Sequence, residues 1–371
     1  MTPSAPQQDC LKIRPYPSTD DWDTPEWARV EIKTLAPADR ERWDAFVERC
    51  PEATFFHRAG WQQIIEQAFG HRTYYLYAEE AGHIQGVLPL GRVQSRLFGD
   101  ALVSTPFCVY GGIAAATDGA RQALEQAACE LARQFNVDYL EMRNLSPGNP
   151  SWPTKDLYFT FRKALDPDPD KNMLAIPRKQ RAMIRKGVQA NLRSEVDTDV
   201  ERCYAVYSES VRNLGTPVYS YRYFEVLKEV FGESCEVTTV VAGERPVASA
   251  LSFYFRDQVL PYYGGSTTAA RHIAGCNDFM YWEVMRRGCE RGCRLFDYGR
   301  SKRGTGAYDF KCNWGFEPEP LHYAYFLVAD DHVPDAKNPL NPKYRLFIQL
   351  WRNLPLPLSR LVGPYLAKDL G

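Results

Sequence analysis

FHRAGWQQIIEQAFG (residues 56–70) and VYSYRYFEVLKEVFG (residues 218–232) carry one pattern twice. In each, an aromatic stands eight residues before a Phe-Gly: Trp61 to Phe69, and Tyr223 to Phe231. Each reads as a helix closed by glycine, the residue that takes the left-handed turn after a helix without strain. The match continues outward in order. A β-rich run follows each helix and reaches an Ala-Gly turn, Ala81-Gly82 and Ala242-Gly243. Next come Tyr110-Gly111-Gly112 and Tyr263-Gly264-Gly265, then helical segments at about 119–135 and 278–291. Each copy ends in a short acidic strand, VDYLEMRN (137–144) and CRLFDYG (293–299). One such match could arise by chance. The ordered set makes a duplicated α/β unit, with the first copy carrying a longer hairpin around GRVQSRLFGDALVSTP.

Length fits this plan, because 371 residues are long for one core and suit two domains. KALDPDPDKN (163–172) breaks periodicity between the copies and places the boundary near Pro167. The expected domains are 27–166 and 167–330, after a flexible segment 1–26 and before a tail 331–371. The formal net charge is −1, so any contact with phosphate or nucleic acid must come from local patches. Aromatic residues make up 13% of the chain, which indicates a packed protein rather than a disordered one. MTPSAPQQDC lacks the charged-then-apolar pattern of a signal peptide. No apolar run approaches the roughly 18–20 residues that span a bilayer. The ten cysteines are scattered without zinc-site spacing, so no metal is expected and the reading is a reducing cytosol.

Two segments lie outside the repeat. Between Lys171 and Arg193 stand seven basic residues and no acidic one. A helix over 177–190 puts Arg178, Arg181 and Arg185 on one face, either solvated or binding phosphate through bidentate guanidinium contacts. In the tail, Tyr344, Phe347, Leu350, Trp351 and Leu354 recur at helical spacing among Lys343, Arg345 and Arg352. That amphipathic helix either docks on the second domain or makes a peripheral membrane contact.

The tandem unit, the basic helix between its copies, and FDYGRS…GTGAYDFKCNWGFEPEPLHYAYFLV resemble the FemAB-like branch of the GNAT acyltransferases. The tail NPKYRLFIQLWRNLPLPLSRLVGPYLAKDLG is similar to the subgroup associated with PEP-CTERM/exosortase systems and exopolysaccharide loci. The resemblance covers roughly residues 30 to 371 and implies an α/β (α+β) fold of two GNAT-like domains, each a mixed sheet flanked by helices. It also implies transfer of an amino acid from aminoacyl-tRNA to an amine, with substrate bound between or beside the domains. Phe310 and Lys311 match a Phe-Lys pair whose lysine contacts the reacting centre in that family.

Acyl transfer passes through a tetrahedral oxyanion, which a fixed cation stabilises. Lys311, read as lying on a strand, is the first candidate for that role, and Asp297 is a candidate to orient a cation or accept a proton. Arg300, Lys302 and Arg303 are candidates to hold phosphate, with Gly304 and Gly306 letting backbone N–H groups approach. Phe310, Tyr263 and the helix arginines Arg178, Arg181 and Arg185 complete the substrate-binding set. A mobile basic hairpin is the competing reading of the loop, a structural ion pair that of Asp297. In GNAT folds the donor pyrophosphate rests at the helix after the central strand, here with Asn277 or Asp278 as its N-cap. The usual Arg/Gln-x-x-Gly-x-Gly/Ala pattern is absent, since Arg271 is followed by Ala274. His57 and Arg58 are candidates to touch an acceptor, and the first half reads as an acceptor platform.

The leading expectation is a cytoplasmic N-acyl or aminoacyl transferase acting on an amino sugar or a peptidoglycan/exopolysaccharide precursor. It would sit at the inner face of the membrane if the tail binds lipid. Its acceptor would be a sugar-nucleotide or polysaccharide precursor, and its donor aminoacyl-tRNA or acyl-CoA. The alternatives are acyl-CoA-dependent acetylation of a polysaccharide sugar, and a non-catalytic GNAT-like binding module.

Overall fold

The structure, a computed structural model, describes residues 30–95, 99–329 and 342–369. The expected N-terminal segment 1–26 and the start of the tail lie outside the described residues. The first half supplies β1 (Glu31–Thr34), β2 (Arg72–Glu80), β3 (His83–Ser95), β4 (Gly99–Ser104), β5 (Ala114–Ala115), β6 (Tyr139–Asn144) and β7 (Thr154–Lys155). The chain continues through β8 (Tyr158–Ala164), β9 (Leu192–Asp197), β10 (Cys235–Ala242), β11 (Arg245–Phe255), β12 (Gln258–Ser266), β13 (Leu295–Asp297), β14 (Ser301–Lys302), β15 (Pro318–Pro320) and β16 (His322–Leu327). Helices α1 (Arg40–Arg49), α2 (Gly60–Ile64) and α3 (Asp118–Phe135) belong to the first half. The second half holds α4 (Pro169–Ala175), α5 (Arg178–Gln189), α6 (Glu201–Leu214), α7 (Tyr221–Phe231), α8 (Cys276–Glu290) and α9 (Gly306–Asn313). The tail forms α10 (Pro342–Arg352) and α11 (Leu356–Ala367).

Two mixed sheets result, in the orders β1-β2-β3-β4-β6-β16-β7 and β14-β8-β13-β12-β11-β10-β9. Each has one parallel pair at its centre, β4 with β6 and β12 with β13. β10 and β11 are buried along nearly their whole length, which suits the valine and threonine run of β10 and the small and aromatic residues of β11. The duplicated plan is therefore present, with α2 and α7 as the repeated helices. α2 continues as a π-helical turn, Ile65–Phe69, and closes on Gly70 at φ +72°.

The sheets exchange strands. β8, which precedes Pro167, pairs with β13 of the second sheet. β16, which follows the second copy, pairs along its whole length with β6 of the first. A cut near Pro167 thus does not separate two sheets, and the boundaries 27–166 and 167–330 each misassign one strand. The sequence repeat ends before either exchanged strand begins, so the pattern could not reveal them.

The two repeated helices meet each other. A Cβ on Gly60 would lie 2.7 Å from Val230 and 2.9 Å from Phe231, so α2 approaches α7 as closely as a glycine permits. Around this contact Phe55, Trp61, Phe231 and Phe253 pack ring to ring, Phe55 and Phe253 at 4.5 Å between centroids. Arg58 lies over Phe55 and Phe231, a structural use of a residue expected to touch an acceptor. The buried aromatic seam joins the halves in one core, from which a single unfolding transition is expected. Phe55→Ala is expected to cost about 3–5 kcal/mol and to shift one unfolding transition. Far- and near-ultraviolet circular dichroism in urea will check this: separate transitions, with one unmoved, would mean that the halves fold independently.

Candidate active site

β12 and β13 run together for only two pairs, Gln258 with Leu295 and Val259 with Phe296. They then part. Opposite β11 the register slips between Leu251 and Ser252, leaving Tyr262 as an extra, bulged residue beside Pro261, which has no N–H to give. The bulge aims Tyr262 at the first half, where its hydroxyl donates to the Phe107 carbonyl at 3.1 Å. Tyr281 of α8 packs on Tyr298, with ring centroids 4.9 Å apart, behind the divergent strands.

Beyond β13 the loop Tyr298–Gly304 is tied from beneath. Asp297 is buried and accepts from the Gly299 N–H at 2.7 Å and from the Tyr110 hydroxyl at 3.0 Å, with Thr160 also in reach. Burial pushes its pKa up, while the Gly299 N–H, Tyr110, Arg162 and Lys311 favour the carboxylate. Gly299 turns at φ +63°, a conformation suited to glycine.

Lys311 lies on helix α9, not on a strand. Thr305 caps that helix, accepting from the Tyr308 N–H. The Lys311 ammonium donates to the carbonyls of Tyr298 at 2.8 Å, Gly299 at 2.9 Å and Arg300 at 3.2 Å. Those three bonds use all its donors. Burial lowers its pKa to about 7, opposed by Asp297. Lys311, expected at the reacting centre, and Asp297, expected to orient a cation or accept a proton, both hold the loop from inside.

The residue they present is Arg300. Its guanidinium donates to the Tyr323 hydroxyl at 2.9 Å and lies 4.9 Å from the centre of the Tyr158 ring. Among the described residues no carboxylate pairs with it. Arg143, on β6, is a second guanidinium beside the same Tyr323 ring, but its charge is met by Glu141 at 2.8 Å and its N–H by the Cys108 carbonyl. Tyr323 also donates to the Val109 carbonyl at 2.5 Å. The first half meets Arg300 with the loop Thr105–Gly112, where Thr105 and Phe107 hold φ of +39° and +71°. Left-handed backbone at a β-branched residue is strained and gathers at functional sites. Burial pushes the Cys108 thiol well up, which argues against a thiolate nucleophile. Tyr158, Tyr219 and Tyr262 keep part of their surface open in this seam. The seam is thus an aromatic-walled, positively charged surface with one cation uncommitted.

The other expected site residues divide. Lys302 and Arg303 stand next to Arg300 and lie against Tyr158 and Phe159, respectively. Gly304 turns at φ +75° and Gly306 begins α9. Phe310 packs on Tyr281 and Trp314, and Tyr263 hydrogen-bonds Tyr223 inside the aromatic core. Arg178, Arg181 and Arg185 do share the face of α5, partly or fully open to solvent and without side-chain partners among the described residues. The expected N-cap of α8 is displaced to Gly275. α5 closes that helix end, because a Cβ on Gly275 would run into the Met183 carbonyl. Asp278, in the first turn, is buried and accepts from the Trp314 indole at 3.0 Å. A carboxylate there opposes a bound pyrophosphate. Sequence reasoning missed Arg143, Tyr158 and Tyr323; the available signal was an acid and a base two residues apart, Glu141 and Arg143, on the strand VDYLEMRN.

His57, expected as an acceptor contact, is structural. Its Nδ1 accepts from the Thr54 N–H at 3.0 Å and its Nε2 donates to the Gly112 carbonyl at 2.7 Å. Burial lowers its pKa from 6.5 to about 4. The unfolded chain therefore takes up this proton first as pH falls, and stability present above pH 6.5 is lost toward pH 4. The expected loss from this group is on the order of 3 kcal/mol in full, most of it by about pH 5. Urea unfolding of the native protein and His57→Gln at neutral and mildly acidic pH will show it: the variant should lose the corresponding part of the pH dependence.

Residues 176–312 match the acetyltransferase (GNAT) domain family. The second half thus carries a GNAT-type acetyltransferase domain, which supports acyltransferase activity. No curated protein is similar in sequence. Among solved structures, FemX is similar over 86% of this chain and 100% of its own, at 14% identity and a TM-score of 0.59. The C-terminal domain of a putative lysylphosphatidylglycerol synthetase from Agrobacterium fabrum is similar over 79% of this chain and 92% of its own, at 16% identity and TM-score 0.55. A tandem GNAT protein from the clavulanic acid biosynthesis pathway covers 82% of this chain and is itself covered fully, at 15% identity and TM-score 0.51. The fold is accordingly two GNAT-like units in tandem.

Proposed function

We propose that this protein is an aminoacyl or N-acyl transferase whose acceptor is a phosphate-bearing amino-sugar precursor of an envelope glycan, of peptidoglycan or exopolysaccharide type. The observation that carries the reading is Arg300, a half-buried guanidinium without a carboxylate, set between two tyrosine rings. Guanidinium groups bind phosphate through paired N–H donors, and aromatic faces stack on sugar or base. Arg300 would hold the acceptor phosphate, with Lys302 and Arg303 beside it, while the partly open ring of Tyr158 flanks the sugar. The acceptor amine then attacks the donor carbonyl: the N–C bond forms, the donor C–O bond breaks, and the amine proton leaves with the donor hydroxyl.

The closed, acidic N-terminus of α8 supports an aminoacyl-tRNA donor over acyl-CoA. So does the open basic face of α5, which suits a nucleic-acid backbone.

Arg300→Ala is expected to weaken binding of UDP-N-acetylglucosamine about 10- to 100-fold, read by tyrosine and tryptophan fluorescence, and ribonuclease should abolish transfer. Unchanged binding, or transfer supported by acetyl-CoA and indifferent to ribonuclease, would overturn the reading. Lys311→Met removes the three carbonyl contacts and is expected to lower kcat/KM by about tenfold or more. If the variant loses its fold instead, as circular dichroism would show, Lys311→Arg tests the same point. A properly folded variant with full activity would remove Lys311 from the site altogether.

A further inference from the structure

α11 is inside out. Its small or polar residues Ser359, Gly363 and Ala367 face the protein, and four of its large apolar ones face solvent. Leu358, Leu361, Val362 and Tyr365 stand at i, i+3, i+4 and i+7, one face of a helix, and are exposed by 42%, 66%, 37% and 69%. The inner face explains the small residues: Gly363 sits so close to Val218 that a Cβ would lie 3.0 Å from three of its atoms. The helix is not loosely placed. Arg360 donates to Ser208 at 2.8 Å and to the Ala205 carbonyl, His71 donates to the Lys368 carbonyl at 2.6 Å, and Ser95 donates to Asp369 at 2.9 Å. It is bolted to both halves with its apolar side turned outward. α10, by contrast, buries Trp351 and docks, with Ile348 against Gly215. The amphipathic helix read from the sequence is thus the docked one, though Leu350 on it is also exposed.

We propose that the outer face of α11 is a docking surface for an anionic lipid bilayer. Charge decides the occupant. From Pro342 to Asp369 the chain has five basic residues and one acidic residue. Arg352, at the end of α10, and Lys368, just past α11, are exposed, while Asp369 is engaged by Ser95. Two copies meeting through this face would bring like charges together, whereas an anionic bilayer accepts both the apolar stripe and its cationic ends. α11 would lie in the plane of the headgroups; among the described residues no helix is long and apolar enough to cross a membrane. The rigid attachment would hold the seam at Arg300 at a fixed height above the lipid.

The test is co-sedimentation of the full chain with vesicles of equal parts phosphatidylcholine and phosphatidylglycerol, and with phosphatidylcholine alone. The native protein is expected to bind the mixed vesicles, and Leu361→Glu/Tyr365→Glu to lose about tenfold or more of its partition. Arg352→Glu/Lys368→Glu should abolish the preference for phosphatidylglycerol. All substituted side chains are exposed, and near-ultraviolet circular dichroism checks that the fold stands. Failure of the native protein to bind, or equal binding by Leu361→Glu/Tyr365→Glu, overturns the proposal. So does a native dimer in sedimentation velocity that this double variant dissolves, because the face would then be covered by a second copy.

Discussion

One buried carboxylate ties the molecule together. Asp297 has left water, at a cost of several kcal/mol unless its lone pairs are filled. They are filled from three directions: Tyr110 from the first half, Thr160 from the exchanged strand β8, and the Gly299 N–H from the loop it precedes. Satisfying this one group fixes the distance between the halves and the direction in which the chain leaves β13. Lys311 then grips the next three carbonyls from α9. Arg300 emerges from a backbone that has no freedom left, with its side chain against the other half.

The two copies differ at this point, and the difference defines the site. In the first copy, β6 carries Glu141 and Arg143 two residues apart, and they neutralise each other in the interior. In the second, the acid is spent on the backbone and the arginine three residues later is left without one. Duplication supplied the frame twice; among the described residues the arginine after the acid lacks a carboxylate in the second copy, where both halves contribute tyrosines.

Much of the architecture could be read from the repeat, because a helix closing on Phe-Gly, an Ala-Gly turn and a Tyr-Gly-Gly are local signals. Strand exchange could not, since β8 and β16 find partners far along the chain and neither echoes the other. Lys311 was misplaced because AYDFKCNW alternates enough to pass for a strand. The contrary signal was Thr305, a helix-capping residue ahead of an acid in the first turn. Arg300 was legible as a basic residue in a glycine loop; its tyrosine walls were not, because Tyr158 and Tyr323 lie on the exchanged strands. The inner and outer faces of α11 follow from tertiary packing on Val218, which no local pattern encodes.

The exchanged strands also govern the order of events during synthesis. β6 is translated well before its antiparallel neighbour β16, which comes only after the entire second copy. An emerging chain must therefore carry an unsatisfied strand edge in its first sheet while the second copy is still being made. Open edges invite pairing with other chains, and long-range pairings form slowly. The nascent polypeptide thus passes through a stage in which that edge is open until β16 arrives. A message truncated before codon 322 would yield a product that retains nearly all of both copies yet is prone to aggregate.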